Sequence, residues 1–286
     1  VPDEHWAANR TLIRAAAKEE KPDALILGEV WEDAVTKESY GKRRNYALGF
    51  SLDSVMNYPF RNAVLAFARG QSSAYELRDF LIGQQMNYPK PFYYSLMNLL
   101  GTHDVDRIRT ALSVNFDIRA LSREDQVKLN IPQEALDRAV ETEKLCALIQ
   151  FAIPGVPSIY YGDEQGMCGV CDPFNRQPFK EGVRELHDFY ARLAAKRRGA
   201  DALSTGEAVF MAASADVLMV LRYINGDKDA LGESARPGAY LAVINRGAHS
   251  AGFTADCTAA GCGMFSGCIA AHSGRIFELS KEGQRE

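Results

Sequence analysis

The sequence predicts an α/β fold with a parallel, barrel-like sheet over residues 1–200, followed by a small antiparallel β domain over 201–286. Three observations carry this expectation. Short apolar runs alternate with helix-period segments across the first part of the chain. Several of those runs end in glycine followed at once by acidic or ionisable residues, as at the C-terminal lip of α/β barrel strands. Beyond Gly199 the runs become β-rich, are joined by Gly, Asp and Asn, and lack a long helix.

Taken in order, residues 3–20 (DEHWAANRTLIRAAAKEE) show helical spacing, with Asp3 as the expected cap and Pro22 beyond the end. ALILGEV at 24–30 is a short continuous apolar run, the pattern of a strand covered on both faces. FSLDSVMNYPF at 50–60 reads as a second strand and turn. A helix is expected over 73–86 and a strand at 92–100, FYYSLMNLL. A polar region at 113–133 leads into the helix PQEALDRAVETEKLCALIQFAI, and PSIYYGDE at 157–164 is another strand ending in Gly and acids. VRELHDFYARLAAKRRG ends at Gly199, with cations in the last turn where the helix dipole favours them. AVFMAA, VLMVLRYI and AYLAVIN supply the strands of the β domain.

Composition excludes some function classes. The chain has 286 residues, 47% of them hydrophobic, enough for a sizeable core. A net charge of −4 from 37 acidic and 33 basic residues leaves no basic footprint, so a nucleic-acid partner is not expected. The longest apolar stretch, CALIQFAIPGVPSIYY, is broken by Gln150, Gly155 and two prolines and falls short of the roughly 20 residues a membrane span requires. The opening VPDEHW shows no secretory signal pattern, but without a methionine it leaves the natural start open. Cys168 and Cys171 form a C-x-x-C, either a metal or redox element or a loop that happens to hold two thiols. No metal is assigned. The irregular spacing of the six cysteines favours the cytoplasm.

The candidate chemistry lies at two lips. Glu29 follows the first buried run and precedes Trp31. A carboxyl desolvated beside an indole suits a general acid, and the structural alternative is a strand-end Glu paired with an arginine on the barrel rim. In SLMNLLGTHDVDR an apolar run stops at Gly101 and Thr102, and His103, Asp104, Asp106 and Arg107 arrive together. Alone, Asp104 is no more specific than Glu29, and His103 could equally be a satisfied structural histidine. Arg107 reads as structural, able to order either Asp104 or Asp106.

Together the stretches LILGEVW, VMNYPF, NLLGTHDVDRI, GVPSIYYGDEQGM and CDPFNRQPF, in this order and at these intervals, resemble the catalytic half of the α-amylase family of glycoside hydrolases. The likeness is strongest to the cyclomaltodextrinase, neopullulanase and maltogenic amylase group, and runs from Val1 to about Arg222. It implies a retaining hydrolase acting on α-1,4 or α-1,6 glucans such as cyclodextrins, pullulan or malto-oligosaccharides. Glu29 would be the general acid/base, and Asp104 the second acid, gripping sugar hydroxyls. His103 would bond the same sugar ring and Trp31 would stack on the leaving-group sugar. Asp172 and Arg176, in DPFNR, would bind a sugar farther out. Tyr161 to Glu164 resemble the end of the eighth barrel strand, with a structural role or a sugar contact both open.

The same resemblance implies what is missing. The family's nucleophile is an aspartate in a short motif at the end of the fourth strand with an arginine two residues before it, and no such motif is read between Val1 and Glu286. The chain is therefore expected to be the carboxy-terminal half of a (β/α)8 TIM barrel, helix four through helix eight, followed by a small antiparallel β-sandwich. By itself it should be inactive. Its partners would be an α-glucan oligosaccharide and either the amino-terminal half of the barrel or a second copy covering its open side. No cofactor is expected, and family calcium ligands would lie in the absent part. The rival readings are a catalytically inactive amylase-like binding protein and a transferring or isomerising relative.

Overall fold

The computed structural model describes residues 2–4 and 7–280 of the chain. A 3-10 turn at Pro2–Glu4 precedes α1 (Ala7–Glu20), so the first helix begins later than expected, with residues 5 and 6 outside the described residues. Asp3 is engaged elsewhere. Its carboxylate accepts the Tyr46 hydroxyl, with the Lys37 ammonium at 3.3 Å and the Arg44 guanidinium at 3.7 Å.

The parallel strands are present but short. β1 (Leu27–Gly28) is followed by a small hairpin, β2 (Glu38–Ser39) and β3 (Lys42–Arg43), and then by β4 (Ser54–Val55). β1 and β4 pair in parallel, Leu27 opposite Ser54. A parallel bridge from Met56 to Met97 continues the order to β5 (Met97–Leu99), which pairs with β6 (Val156–Ser158), Met97 opposite Val156. The four strands thus run β1-β4-β5-β6, and among the described residues β1 and β6 each pair on one side only. Coverage on both faces fails for the first run. Leu25 is 61% and Leu27 41% exposed, beside an edge of β1 against which no strand lies among the described residues. At the other edge Val156 is 53% exposed.

Between β4 and β5 lie α2 (Tyr58–Ala68), α3 (Ala74–Asn87) and α4 (Lys90–Ser95). The end of the 50–60 stretch, expected as strand and turn, is instead the start of α2: the Asn57 side chain accepts the Phe60 N–H at 3.2 Å, and Pro59 sits in the first turn where its missing N–H costs nothing. FYYS, expected as strand, is helical, its aromatics buried against Val30, Tyr46 and Leu52, and only Met97–Leu99 is extended. Tertiary burial here overrides the strand preference of aromatic residues. Ser73 and Glu76 cap α3 reciprocally, the Ser73 Oγ at 3.2 Å from the Glu76 N–H and the Glu76 carboxylate at 2.7 Å from the Ser73 N–H. After β5 come α5 (Ile108–Ser113), α6 (Arg123–Lys128) and α7 (Gln133–Ala152); the polar region at 113–133 therefore holds a helix rather than a plain loop.

A buried amide network stitches strands to helices. Asn57 donates to Asn98 at 2.8 Å and accepts from Gln84 at 2.9 Å, Asn98 donates to the Pro154 carbonyl at 2.8 Å, and Gln150 donates to the carbonyls of Asn98 and Ser158, both at 2.9 Å. Such groups cost free energy in the interior unless bonded, so the network fixes one arrangement of the start of α2, β5, β6, α3 and α7.

α8 (Arg184–Gly199) and α9 (Asp201–Thr205) lead to β7 (Glu207–Ala212), β8 (Val217–Ile224), β9 (Gly238–Asn245), β10 (Ala251–Asp256), β11 (Met264–Ile269) and β12 (Ser273–Leu279). The antiparallel order is β12-β9-β8-β7, with β10 and β11 a separate antiparallel hairpin. One face of the sheet, with Val217, Met219, Leu241 and Val243, packs under that hairpin's Phe253, Ala255 and Ile269. The other face, with Phe210, Leu218, Val220, Ala242 and Ile244, shares one core with α2, α3, α7 and α8. Each fully buried Val, Leu or Ile contributes roughly 1.5–3 kcal/mol, so residue 200 is a change of architecture inside a continuous core. Two buried arginines seal the seam: Arg197 donates to the carbonyls of Phe151, Ile153 and Gly155, and Arg222 to that of Ala152, at 2.6–3.0 Å. They bring positive charge to the C-terminus of α7, where the helix dipole favours it.

Candidate active site

Glu29 follows directly on β1, and Asp104 lies five residues beyond the end of β5. One aromatic pair joins them. The Trp31 indole stacks on the Tyr58 ring, centroids 3.9 Å apart and planes 10° apart. Trp31 Nε1 donates to Glu29 Oε1 at 3.0 Å, and the Tyr58 hydroxyl donates to Asp104 Oδ2 at 3.2 Å. Tyr58 is 1% exposed and sits over Leu99 and Val105, so the floor between the two carboxylates is rigid. Burial pushes its hydroxyl far above its ordinary value, with the charges of Asp104 and Glu29 adding to the effect, and the hydroxyl stays protonated as a donor.

His103 Nε2 lies 3.2 Å from Asp104 Oδ2, and the Asp104 N–H donates to Thr102 Oγ1 at 3.1 Å. Both His103 and Asp104 keep access to solvent, with side chains 48% and 25% exposed. The site thus offers two open carboxylates, an imidazole and an aromatic platform at one sheet end. Such groups can accept and donate hydrogen bonds, stack against a flat ring and pass a proton.

The expected residues are placed as follows. Glu29, Trp31, His103 and Asp104 are brought together through Tyr58. Trp31 differs from expectation in that one face already stacks on Tyr58, and it meets Glu29 as a hydrogen-bond donor rather than as an apolar wall. Asp172 and Arg176 pair with each other on an exposed turn, a cis bond joining Asp172 to Pro173. Arg107 orders neither Asp104 nor Asp106. Asp106 pairs with Arg61 at 3.1 Å, while the fully buried Arg107 donates to Asp163 Oδ1 at 3.0 Å, to the Tyr161 carbonyl at 2.7 Å and to the Asn175 carbonyl at 2.9 Å. Its guanidinium also lies over the rings of Tyr160 and Tyr161, at 4.6 and 4.7 Å. The Tyr161–Glu164 stretch thus contributes an arginine cradle, and burial outweighs the Arg107 attraction to push the Asp163 carboxyl up to about 7.

Cys168 and Cys171 face different surroundings. Cys168 lines an apolar recess with Thr110, Leu129, Leu136 and Phe174, whereas Cys171 lies near the charges of Asp106, Arg119 and Asp117. Among the described residues no three His, Cys, Asp or Glu side chains are grouped to hold a metal ion, and no helix is long and apolar enough to cross a membrane. An Arg-x-Asp spacing, expected to be missing, does occur at Arg123–Glu124–Asp125, but in α6 rather than at a strand end, and there Asp125 accepts the Ser122 hydroxyl at 2.7 Å. Sequence reasoning missed Tyr58 and Asn175, whose surroundings are set by tertiary contacts alone.

The matches to known proteins place this parallel sheet in a TIM-barrel-type glycoside hydrolase fold. The chain belongs to the α-amylase family: the profile described as alpha amylase, catalytic domain, matches residues 3–202. It is 37% identical over 248 residues to an amylopullulanase of Thermoanaerobacter thermohydrosulfuricus, which covers 82% of this chain and 16% of that protein. It is 35% identical over 211 residues to a cyclomaltodextrinase of Geobacillus thermopakistaniensis, covering 72% of this chain and 30% of that protein. Among solved structures, the ligand-free cyclic α-maltosyl-(1→6)-maltose hydrolase of Arthrobacter globiformis superposes with a TM-score of 0.75 at 22% identity, over 98% of this chain and 54% of that one. The chain therefore spans a small part of these curated relatives, and about half of the solved chain whose fold it shares.

Proposed function

We propose that this chain supplies the carboxy-terminal half of the catalytic barrel of a retaining hydrolase of α-1,4 or α-1,6 glucans, such as cyclodextrins, pullulan or malto-oligosaccharides. The observation that supports this most is the Glu29–Trp31–Tyr58–Asp104 connection, which ties two carboxylates to one aromatic platform. Glu29 gives its proton to the leaving glycosidic oxygen and later takes one from water. Asp104 and His103 grip the hydroxyls of the sugar being cleaved, and Asp172 and Arg176 hold a sugar farther out. Retention needs a second carboxyl about 5–5.5 Å from the acid. We assign that nucleophile to further strands of the same barrel, paired against the open edges of β1 and β6. The exposure of Leu25, Leu27 and Val156 along those edges supports this assignment, and the β7–β12 region is then the sandwich that follows the barrel.

Glu29→Gln in the complete enzyme tests the reading. Glutamine keeps the shape but has no proton to give, so cleavage of malto-oligosaccharides should fall about 10²–10⁴-fold while sugar binding persists. An aryl maltoside, whose leaving group needs no protonation, should be spared in its first step. Normal turnover of maltoheptaose by the glutamine variant would remove Glu29 from the role. Glucan binding without turnover in the complete wild-type protein would favour a binding-only relative.

A further inference from the structure

We propose that Asn175 is a positioning residue, one that sets the backbone of the 102–105 loop, and with it the Asp104 carboxylate, from inside the segment that carries the outer sugar-binding pair. The inference rests on the functional reading above. Asn175 is fully buried, and its Nδ2 lies 3.2 Å from the Thr102 carbonyl, 2.9 Å from that of His103 and 2.6 Å from that of Val105. The two N–H bonds of one amide group are thus shared among three carbonyls of a turn that would otherwise leave buried acceptors unpaired. Its own Oδ1 accepts no hydrogen bond among the described residues, so the side chain is committed to that loop.

The residue is itself held from behind. Arg107 Nε donates to the Asn175 carbonyl at 2.9 Å, and Arg107 is anchored by Asp163. A Cβ at Gly169 would come within 2.8 Å of the Asn175 Cα and 3.0 Å of the Phe174 carbonyl, so glycine there lets the two segments meet. Asn175 lies three residues after Asp172 and one before Arg176. A sugar held by that pair therefore bears on the same short turn that clamps Asp104. Displacing a positioned group by about 1 Å can cost roughly 10²-fold in rate.

Asn175→Ala and Asn175→Asp in the complete enzyme, assayed on maltotriose and maltoheptaose, should lower kcat roughly 10²-fold on both substrates with KM nearly unchanged. Asp172→Ala should instead raise KM for maltoheptaose alone. The introduced carboxylate of Asn175→Asp faces three carbonyls without a donor, so its kcat should partly recover as the pH is lowered and the carboxyl gains a proton. In the 286-residue chain itself, where no turnover is required, Asn175→Ala should speed amide hydrogen exchange at His103 to Val105 and leave α7 unchanged. A wild-type enzyme without glucan turnover defeats the functional reading, and the exchange experiment then still decides whether Asn175 holds the loop. Unchanged exchange, a loss confined to KM, or loss of folded structure by circular dichroism in both variants would each overturn the proposal.

Discussion

The indole of Trp31 lies flat on the ring of Tyr58 at 3.9 Å, and each of the two rings is bonded to a different carboxylate, Glu29 and Asp104. A stack of this kind contributes about 0.5–1.5 kcal/mol beyond burial. Its larger consequence is geometric, since neither carboxylate can shift without disturbing the platform they share.

Tyr58→Phe keeps the stack and deletes only the hydroxyl bonded to Asp104. A hydrogen bond to a charged group is worth about 1.5–3 kcal/mol to the folded state, so a stability loss of up to that order is expected, and glucan turnover in the complete enzyme should fall, by up to roughly 10²-fold, as Asp104 loses its position. Tyr58→Ala should fall further and lower the melting temperature more. Steady-state kinetics and a thermal melt on both variants separate the two contributions, and equal activity in Tyr58→Phe and wild type would make the hydroxyl a bystander.

Asp163 gives a pH dependence with a definite sign. Burial raises its folded carboxyl to about 7 from an ordinary value of 3.8, so the folded state binds the proton more tightly than the unfolded chain. Its contribution is then most favourable at low pH and is lost as pH rises from about 4 through 7. Glu143, fully buried, is shifted in the same direction by desolvation. Urea unfolding between pH 5 and 8 should show this slope, and Asp163→Asn, which keeps an acceptor for Arg107, should flatten it. An unchanged slope would place the titration elsewhere.

Arg222→Met removes a fully buried guanidinium that bonds the carbonyls of Ala152 and Gly206, at 2.8 and 3.0 Å. The Gly206 carbonyl keeps the Tyr94 hydroxyl at 2.8 Å, whereas the Ala152 carbonyl loses its arginine, and a buried carbonyl left unpaired costs about 1–3 kcal/mol. The midpoint of urea unfolding should drop accordingly, whereas Arg198→Met, on the exposed end of α8, should change little.

The open edge of β1 predicts association. Unpaired strand edges beside exposed leucines are templates for further pairing, so the purified chain should run above its 31.6 kDa mass by light scattering. Leu25→Lys with Leu27→Lys should return it toward that mass. A wild-type chain that stays monomeric at high concentration contradicts this.

Much of the architecture could be read from sequence because its signals are local. Ser73 and Glu76 spell the start of α3, the cationic run before Gly199 spells the end of α8, and the lip acids Glu29 and Asp104 follow apolar runs. The misses have physical reasons. Asn57 and Pro59 do signal a helix start, but the apolar run in which they sit reads as a strand. Phe92 to Ser95 is helical because the surrounding core decides. Arg107 was legible as structural but not its partner, since Asp163 is 56 positions away in sequence. Asn175 carries no pattern at all: a lone loop asparagine looks the same whether it faces water or three carbonyls.

The face of the β sheet formed by Phe210, Leu218, Val220, Ala242 and Ile244 belongs to the same core as α7 and α8. Calorimetry should therefore record one heat-absorption peak for the whole chain: although the sheet has a second core under its hairpin, the largest core is shared and cannot be lost by one half alone. A stop codon after residue 200 would bare the faces of α2, α3, α7 and α8 that pack on the sheet, so the truncated product should aggregate, and the terminal sheet acts as a wall for those helices.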